Sequence, residues 1–275
     1  MSTSLELKTR RLVEDVFPWG EDSHPALPAT PERQGQYVLA FLKEKTATSR
    51  AAAAALLALL RPIAVELQGD MAERESTRFL YRFDTSHIVK SPEGILEKMA
   101  RKWEDTDGPP PVDFQGVERE FSDLGRFRLV VNFISDMDRF KARLEDAFDP
   151  RVGKERLTPG QEALRNQFIL TNNRLEDALN VSPKKRTKGE RCYKGVFSPM
   201  NAPTCSVEVQ IVTVLQEAWD KKDHYLVYEP RRIGLDIDPG HEREMFSMSE
   251  LLYIADLTFD RLKKNIEEHE DGGDS

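Results

Sequence analysis

Three groups of residues in this 275-residue chain combine types and spacings that could handle phosphate chemistry. The first is Lys90-Ser91-Pro92-Glu93-Gly94-Ile95-Leu96-Glu97-Lys98-Met99-Ala100-Arg101. Pro92 suits the first turn of a helix, which sets Lys98 and Arg101 on one face with Lys90 just before it. Such a cationic group can clamp a polyphosphate. The second is Ser122-Asp123-Leu124-Gly125-Arg126-Phe127-Arg128-Leu129-Val130-Val131, an acid at the head of a strand-like apolar run with an arginine five residues on. The third is Val207-Glu208-Val209-Gln210-Ile211, where period-two alternation puts Glu208 and Gln210 on one strand face. An Asp and a Glu on separate strands, with a cationic helix, can form a Mg²⁺-nucleotide site: carboxylates hold the metal and basic side chains neutralise the triphosphate.

The elements that must position these residues are readable from periodicity. Residues 3–17 have helical spacing, and Pro18, Pro25, Pro28 and Pro31 then mark a loop. Gln34 to about Glu75 reads as one long helix or a helix pair, with Pro62 marking a break or kink. Phe79–Phe83 and Phe127–Phe133 read as strands, and Pro92–Lys102 and Asp136–Phe148 as helices. Phe168–Leu170 suggests a short strand and Asn173–Leu179 a short helix. Cys192–Phe197 and Cys205–Thr213 form two strands, followed by a helix over Val214–Tyr228. Ser247-Met248-Ser249-Glu250 is a capping box that starts a last helix, with Leu251, Ala255, Phe259, Leu262 and Ile266 on one stripe. The pattern predicts an α+β fold with a mixed, largely antiparallel sheet, helices packed on it, and N- and C-terminal helices flanking it.

Other chemistries find no support. Two cysteines cannot build a disulfide framework or a C-x-x-C zinc site, and the five histidines show no metal spacing. There is no G-x-S-x-G elbow and no Walker A loop. The longest apolar run, Ala51–Leu60, is too short to span a membrane, and the N-terminus lacks a signal-like core. A cytoplasmic protein without membrane attachment is expected. The formal charge of −8 argues against a general nucleic-acid coat, yet residues 151–200 carry eleven Lys+Arg against five Asp+Glu, so the chain holds a local basic region.

Taken in order, the blocks resemble the synthetase domain of the RelA/SpoT alarmone-synthetase family over roughly residues 75–230. "VKSPEGILEKMARK" resembles the ATP-binding lysine helix, and "SDLGRFRLVV" the Mg²⁺-aspartate strand, usually D-L-A-G-I-R. "KGERCYKGVF" resembles the G-Y-R-x-x-H segment, and "VEVQIVTVLQEAWDKKDH" the E-x-Q-I-R-T strand with its A-W-x-x-x-E-H helix. The resemblance implies a nucleotidyltransferase-like synthetase sheet, divided as an N-terminal helical region (1–75), a synthetase domain (76–232) and a C-terminal helix with acidic tail (233–275), packed as one unit. It also implies transfer of the β,γ-pyrophosphate of ATP to a ribose 3′-hydroxyl.

Carried over residue by residue, Lys90, Lys98, Arg101 and Arg128 bind the ATP phosphates. Asp123 and Glu208 are catalytic and hold Mg²⁺. Glu190, Arg191, Lys194, Gln210 and His224 face the acceptor, and Trp219 helps close the site. Several positions depart from the family pattern. Glu190 stands where the family has the tyrosine that stacks on guanine, and Lys194 where it has histidine. Val212 replaces an arginine, Gly94 a serine, and Ile88 the first arginine. The acceptor half is therefore the altered half, since a carboxylate cannot stack as a ring does.

The expected acceptor is a purine nucleotide, giving a (p)ppGpp or (p)ppApp type of product. One alternative is the 3′ end of tRNA, suggested by Lys184, Lys185, Arg186, Lys188, Arg191 and Lys194. That reading carries a toxin-like role with a neutralising antitoxin partner. Another is a degenerate domain that binds nucleotide or a partner. A homo-oligomer through the terminal helices is a further expectation. No paired H-D hydrolase motif is present, so a synthesis-only enzyme is expected.

Overall fold

The computed structural model describes residues 4–104, 106, 108–182, 189–232 and 235–271. The chain begins with α1 (Ser4–Arg11), which runs into a π turn, Leu12–Val16. α2 (Pro31–Lys45) is capped by Thr30, whose hydroxyl accepts from the Arg33 amide, with Pro31 at the first helical position. α3 (Ala47–Gly69) and α4 (Glu73–Arg78) precede β1 (Tyr81–Asp84). Then come α5 (Pro92–Glu104), α6 (Val117–Glu120), β2 (Gly125–Val131) and α7 (Ile134–Phe148). α8 (Pro159–Gln167) opens with a Thr158/Gln161 capping box and leads into β3 (Phe168–Leu170) and β4 (Glu176–Asp177). β5 (Tyr193–Pro199), β6 (Val207–Thr213) and α9 (Val214–Asp223) follow, α9 passing into a π turn, His224–Tyr228. α10 (Glu229–Arg232) and the 33-residue α11 (Pro239–Asp271) complete the chain.

The strands form one six-stranded sheet in the order β1-β2-β6-β5-β3, with β4 also paired to β5. β1 runs antiparallel to β2, Tyr81 opposite Val131 and Asp84 opposite Arg128, and β4 runs antiparallel to β5. The architecture is the α+β arrangement expected, a mixed and mostly antiparallel open sheet among helices.

The chain divides into two compact units. One comprises Met1–Leu57, Ser86–Arg126 and Phe197–Glu208, and the other Ala58–Thr85, Phe127–Val196 and Val209–Ser275. The core of the first gathers Leu12, Val38, Leu42, Ile95, Met99, Trp103, Phe114, Phe121 and Leu124. Phe17 sits at its centre, edge-on to Phe41 and Phe114 with ring centroids at 5.3 and 5.0 Å. α5 contributes Ile95, Leu96, Met99, Ala100 and Trp103, all buried. Burial of each large side chain stabilises by about 1.5–3 kcal/mol. In the second unit Val130, Cys192 and Val212 pack together, and Phe79 stacks on Phe140 at 5.6 Å.

Three local expectations are corrected. α3 runs through Pro62 without ending, and the helix pair breaks at Thr46. A mid-helix proline costs about 3 kcal/mol, but Leu56, Leu60, Ile63, Ala64 and Leu67 are all buried around it. Asn173–Leu179 is not a helix: Asn172 and Asn173 have φ of 60° and 54°, which turns the chain into β4. α11 begins at Pro239, well before the capping-box sequence. Its cap is Asp238, whose carboxylate accepts from the Gly240 amide at 2.7 Å, while Ser247 lies mid-helix and donates to the Arg243 carbonyl. The stretch Pro31–Gly69 holds an 18-residue window with a mean hydropathy of 1.5, long and apolar enough to cross a membrane by length and composition. That stretch is α2 plus α3, and Ala53, Leu56, Leu60, Ile63 and Ala64 within it are buried.

Candidate active site

The first unit holds a lysine–aspartate–lysine group. Lys90 Nζ donates to Asp123 Oδ2 at 3.1 Å, and Lys98 Nζ to Asp123 Oδ1 at 2.5 Å. Backbone pairing sets this up. The Lys90 amide donates to the Leu124 carbonyl at 2.8 Å and the Arg126 amide to the Ile88 carbonyl at 3.0 Å. The strand-like segment before α5 is thereby held against the head of β2, which brings Lys90 to Asp123. Ser91 caps α5 by accepting from the Gly94 amide at 3.1 Å. The buried stripe of α5 then fixes its rotation so that Lys98 reaches the same carboxylate and lies 4.8 Å over the Phe121 ring.

Gly125 is required by close approach. A Cβ there would stand 2.8 Å from the Ser49 carbonyl oxygen and 3.2 Å from Val207 Cγ2. No side chain fits between β2 and the start of α3.

Electrostatics follow from this packing. Burial pushes the Asp123 carboxyl up, but Lys90 and Lys98 outweigh that and hold it at about 2. Burial lowers the Lys90 ammonium, and Arg126 and Lys98 repel it, against the attraction of Asp123. Asp123 is thus an anion throughout the neutral range, between two cations. Arg101 lies on α5 beside Glu97, at 3.6 Å, and does not join Asp123. Glu208 is half-buried on β6.

The second unit holds a hydrogen-bonded chain. Arg128 Nε donates to Gln210 Oε1 at 2.9 Å, and its terminal nitrogen pairs with Asp220 at 2.7 Å. Gln210 Nε2 donates to Glu190 Oε1 at 3.0 Å, and Lys194 Nζ to Glu190 Oε2 at 3.1 Å. Arg128, Gln210, Glu190 and Asp220 line a crevice with Arg191, Glu217 and Trp219 whose void is only about 10 Å³, about the room of one water. Gly189 passes so close to the Trp219 indole that a Cβ would overlap it.

Arg191 is held differently from its expected role. It is 2% exposed, donates from one terminal nitrogen to both carboxylate oxygens of Glu250 at 2.8 and 2.7 Å and from the other to the Leu179 carbonyl, and stacks 3.9 Å from the Tyr253 ring. His224 lies apart from the crevice, paired with Glu229 at 3.2 Å. Lys184, Lys185, Arg186 and Lys188 lie outside the described residues.

Two acids escaped the sequence reading. Glu217 is buried on α9 and pairs with Arg82 and, at 2.9 Å, with Lys221, while Asp220 holds Arg128. Their signal was the i, i+3 spacing on the helix after β6.

Among the described residues no three His, Cys, Asp or Glu side chains converge as a ready-made metal cage. An Asp123 ionised through the neutral range nonetheless suits Mg²⁺, which commonly takes one or two carboxylates and completes its shell with substrate phosphates and water.

The fold is that of the small alarmone synthetases. The chain superposes on small alarmone synthetase 1 from Bacillus subtilis bound to its product pppGpp with a TM-score of 0.56 at 17% identity, covering 82% of this chain and 97% of that one. The same enzyme bound to AMPCPP gives a TM-score of 0.50 at 16% identity over 82% and 97%. A GTP pyrophosphokinase family protein from Streptococcus pneumoniae gives 0.56 at 17% identity over 85% and 98%. No protein-family model matches the chain, and no curated protein matches it in sequence.

Proposed function

We propose that this chain is a synthesis-only pyrophosphokinase that moves the β,γ-pyrophosphate of ATP to the 3′-hydroxyl of a purine nucleotide. The observation that carries the reading is the Lys90–Asp123–Lys98 group, built by backbone pairing at the head of β2. Structural likeness to a synthetase bound to pppGpp and to AMPCPP supports the same direction.

In this reading Lys90 and Lys98 exchange Asp123 for the phosphates of ATP, with Arg101 behind them on α5. Asp123 and Glu208 are the residues that would hold Mg²⁺. The metal, when bound, neutralises charge on the transferring phosphates. Glu208 takes the proton of the acceptor hydroxyl. The hydroxyl oxygen bonds to the β-phosphorus as the bond from that phosphorus to the α,β-bridging oxygen breaks, releasing AMP. The protein contributes mainly position and charge.

The acceptor half depends on Glu190. An ionised carboxylate only accepts hydrogen bonds, so it reads donors on the base edge rather than stacking on its face. Guanine offers two adjacent donors on that edge and adenine one, and the side-chain amide of Gln210 holds the carboxylate in place. Guanine nucleotides are accordingly the favoured acceptors. Arg191, which is buried and turned onto Glu250, is not placed to draw in a tRNA end.

The test is transfer of label from γ-labelled ATP with Mg²⁺ to GDP, GTP, AMP, ATP or bulk tRNA, with Asp123→Ala and Glu208→Ala as controls. Labelled guanine nucleotide, abolished in both controls, is expected. Label on tRNA alone would replace the acceptor, and no label on any acceptor would leave a nucleotide-binding domain without this activity.

A further inference from the structure

The second unit carries a cleft of about 370 Å³ that shares no lining residue with the Lys90–Asp123–Lys98 group or with the Glu190 crevice. That is the size of a small-molecule pocket. Arg139 and Arg143 enter it from α7, four residues apart and so on one face of the helix. Arg156 enters from the single turn Lys154–Arg156 that precedes α8. Asp146 is the one acid lining the cleft, against these three guanidiniums.

Polar bonds tie the walls together. Glu66 on α3 accepts from the Thr158 hydroxyl at 2.5 Å and from the Gly160 amide at 3.0 Å. A Cβ at Gly160 would stand 2.9 Å from Ile63 Cγ1, so α8 starts in direct contact with α3. Gln161 donates to the Arg143 carbonyl at 2.7 Å and accepts from the Thr158 amide at 3.0 Å, which joins α8 to α7. Arg165 donates to the carbonyls of Asp146, Ala147, Asp149 and Val152, holding the end of α7 and the following loop in one frame. A pocket fixed in advance loses little freedom when it is filled.

The arginines are aimed but not used up. Arg139 gives one terminal nitrogen to Glu75 at 3.0 Å, and Arg143 gives one to Asp70 at 2.5 Å. Neither acid lines the cleft. Ion pairs this open to water contribute little, and the rest of each fork suits a phosphate. Arg156 is exposed and has no carboxylate partner among the described residues. We propose that this cleft binds a phosphorylated sugar. The arginines take the phosphate, Asp146 accepts from the sugar hydroxyls, and Leu67, Ala142 and Val152 meet the carbon skeleton. Among the described residues none that lines the cleft is aromatic, so no ring is offered to a nucleobase.

Titration calorimetry of the full chain tests this, with glucose 6-phosphate, ribose 5-phosphate, inorganic phosphate, glucose, AMP and a single-stranded RNA oligonucleotide as probes. Both sugar phosphates should bind, inorganic phosphate should bind more weakly, and glucose should not bind. Arg143→Leu and Arg156→Leu should each weaken sugar-phosphate binding by roughly tenfold or more, the loss of a charged hydrogen-bonding group. Asp146→Ala should shrink the preference for sugar phosphates over inorganic phosphate. Arg156 faces solvent, so its variant should keep the circular dichroism spectrum of the parent. Failure of both sugar phosphates to bind, or binding that survives both arginine variants, would overturn the proposal. So would binding lost in Lys98→Met but kept in Arg156→Leu, which places the ligand at the catalytic group. Tighter binding of AMP or of the RNA through the same arginines would overturn it as well.

Discussion

Gln210 donates to Glu190 at 3.0 Å, so the glutamine expected to orient an acceptor is itself oriented by the residue that stands in the tyrosine position of the RelA/SpoT pattern. Glu190→Gln removes a charged acceptor while keeping its size. A hydrogen bond to a charged group contributes about 1.5–3 kcal/mol. KM for the acceptor nucleotide should therefore rise by roughly tenfold or more while KM for ATP stays within twofold, as steady-state kinetics with each substrate varied would measure. Equal change in both would place Glu190 outside acceptor binding.

Lys90→Met and Lys98→Met each take one cation from the phosphate group while keeping the stem that packs along α5. Loss of one charge-stabilising donor typically costs about 10²–10³ in kcat. Single-turnover transfer from labelled ATP should show that loss for both variants. Full activity in either would show that the lysine serves Asp123 alone.

Asp123 gives an acid-side stability signature. Its folded value, about 2, lies below the ordinary 3.8. The stabilisation is therefore present above about pH 4 and is lost as pH falls through 2, an effect of about 2 kcal/mol. Urea unfolding of the protein and of Asp123→Asn should differ most near pH 5 and converge toward pH 2. A constant difference would mean that the lysines do not hold this carboxylate.

Asp256 has the opposite sign. Burial pushes its carboxyl up to about 6, against hydrogen bonds from Thr213 and Gln216. Between about pH 4 and 6 the folded chain keeps a proton that the unfolded chain has released, so stability falls as pH rises and then levels. Asp256→Asn should remove that slope and raise the urea midpoint at pH 7 relative to the parent.

Gly125→Ala forces a methyl group against the Ser49 carbonyl at 2.8 Å. Overpacking of this kind costs about 1–3 kcal/mol. The urea midpoint should fall with the m-value unchanged. Activity should fall as well, because the same strand head carries Asp123.

Much of this molecule was legible because local signals agreed with burial. Ile95, Leu96, Met99 and Trp103 mark α5 by period, and Val130–Val131 mark β2, so Lys98 and Asp123 were placed correctly on a helix and at a strand head. What was missed depended on tertiary context. Nothing local shows that Asn172 and Asn173 adopt left-handed backbone, or that buried side chains on either side carry α3 past Pro62. The capping-box sequence at Ser247 satisfied a local rule that the earlier Asp238 cap overrides. The partners of Glu190 come from residues 4 and 20 positions on, Lys194 and Gln210, and the second of these is visible only in the sheet. The stripe on α11 was read in the sequence, but periodicity says which residues share a face and not which way that face turns.

Under the proposed function, Arg191 and Ser249 tie the C-terminal helix to the residue that reads the acceptor. Arg191 is pinned between the Leu179 carbonyl and Glu250, and Ser249 holds the Gly189 carbonyl, so the segment leading to Glu190 is fastened to α11 from both sides of that motif. The acceptor selectivity proposed for Glu190 is therefore not portable as a short peptide. Grafting residues 189–194 into a small alarmone synthetase would carry the glutamate without its splint, whereas grafting them together with α11 would carry the whole unit proposed for recognition.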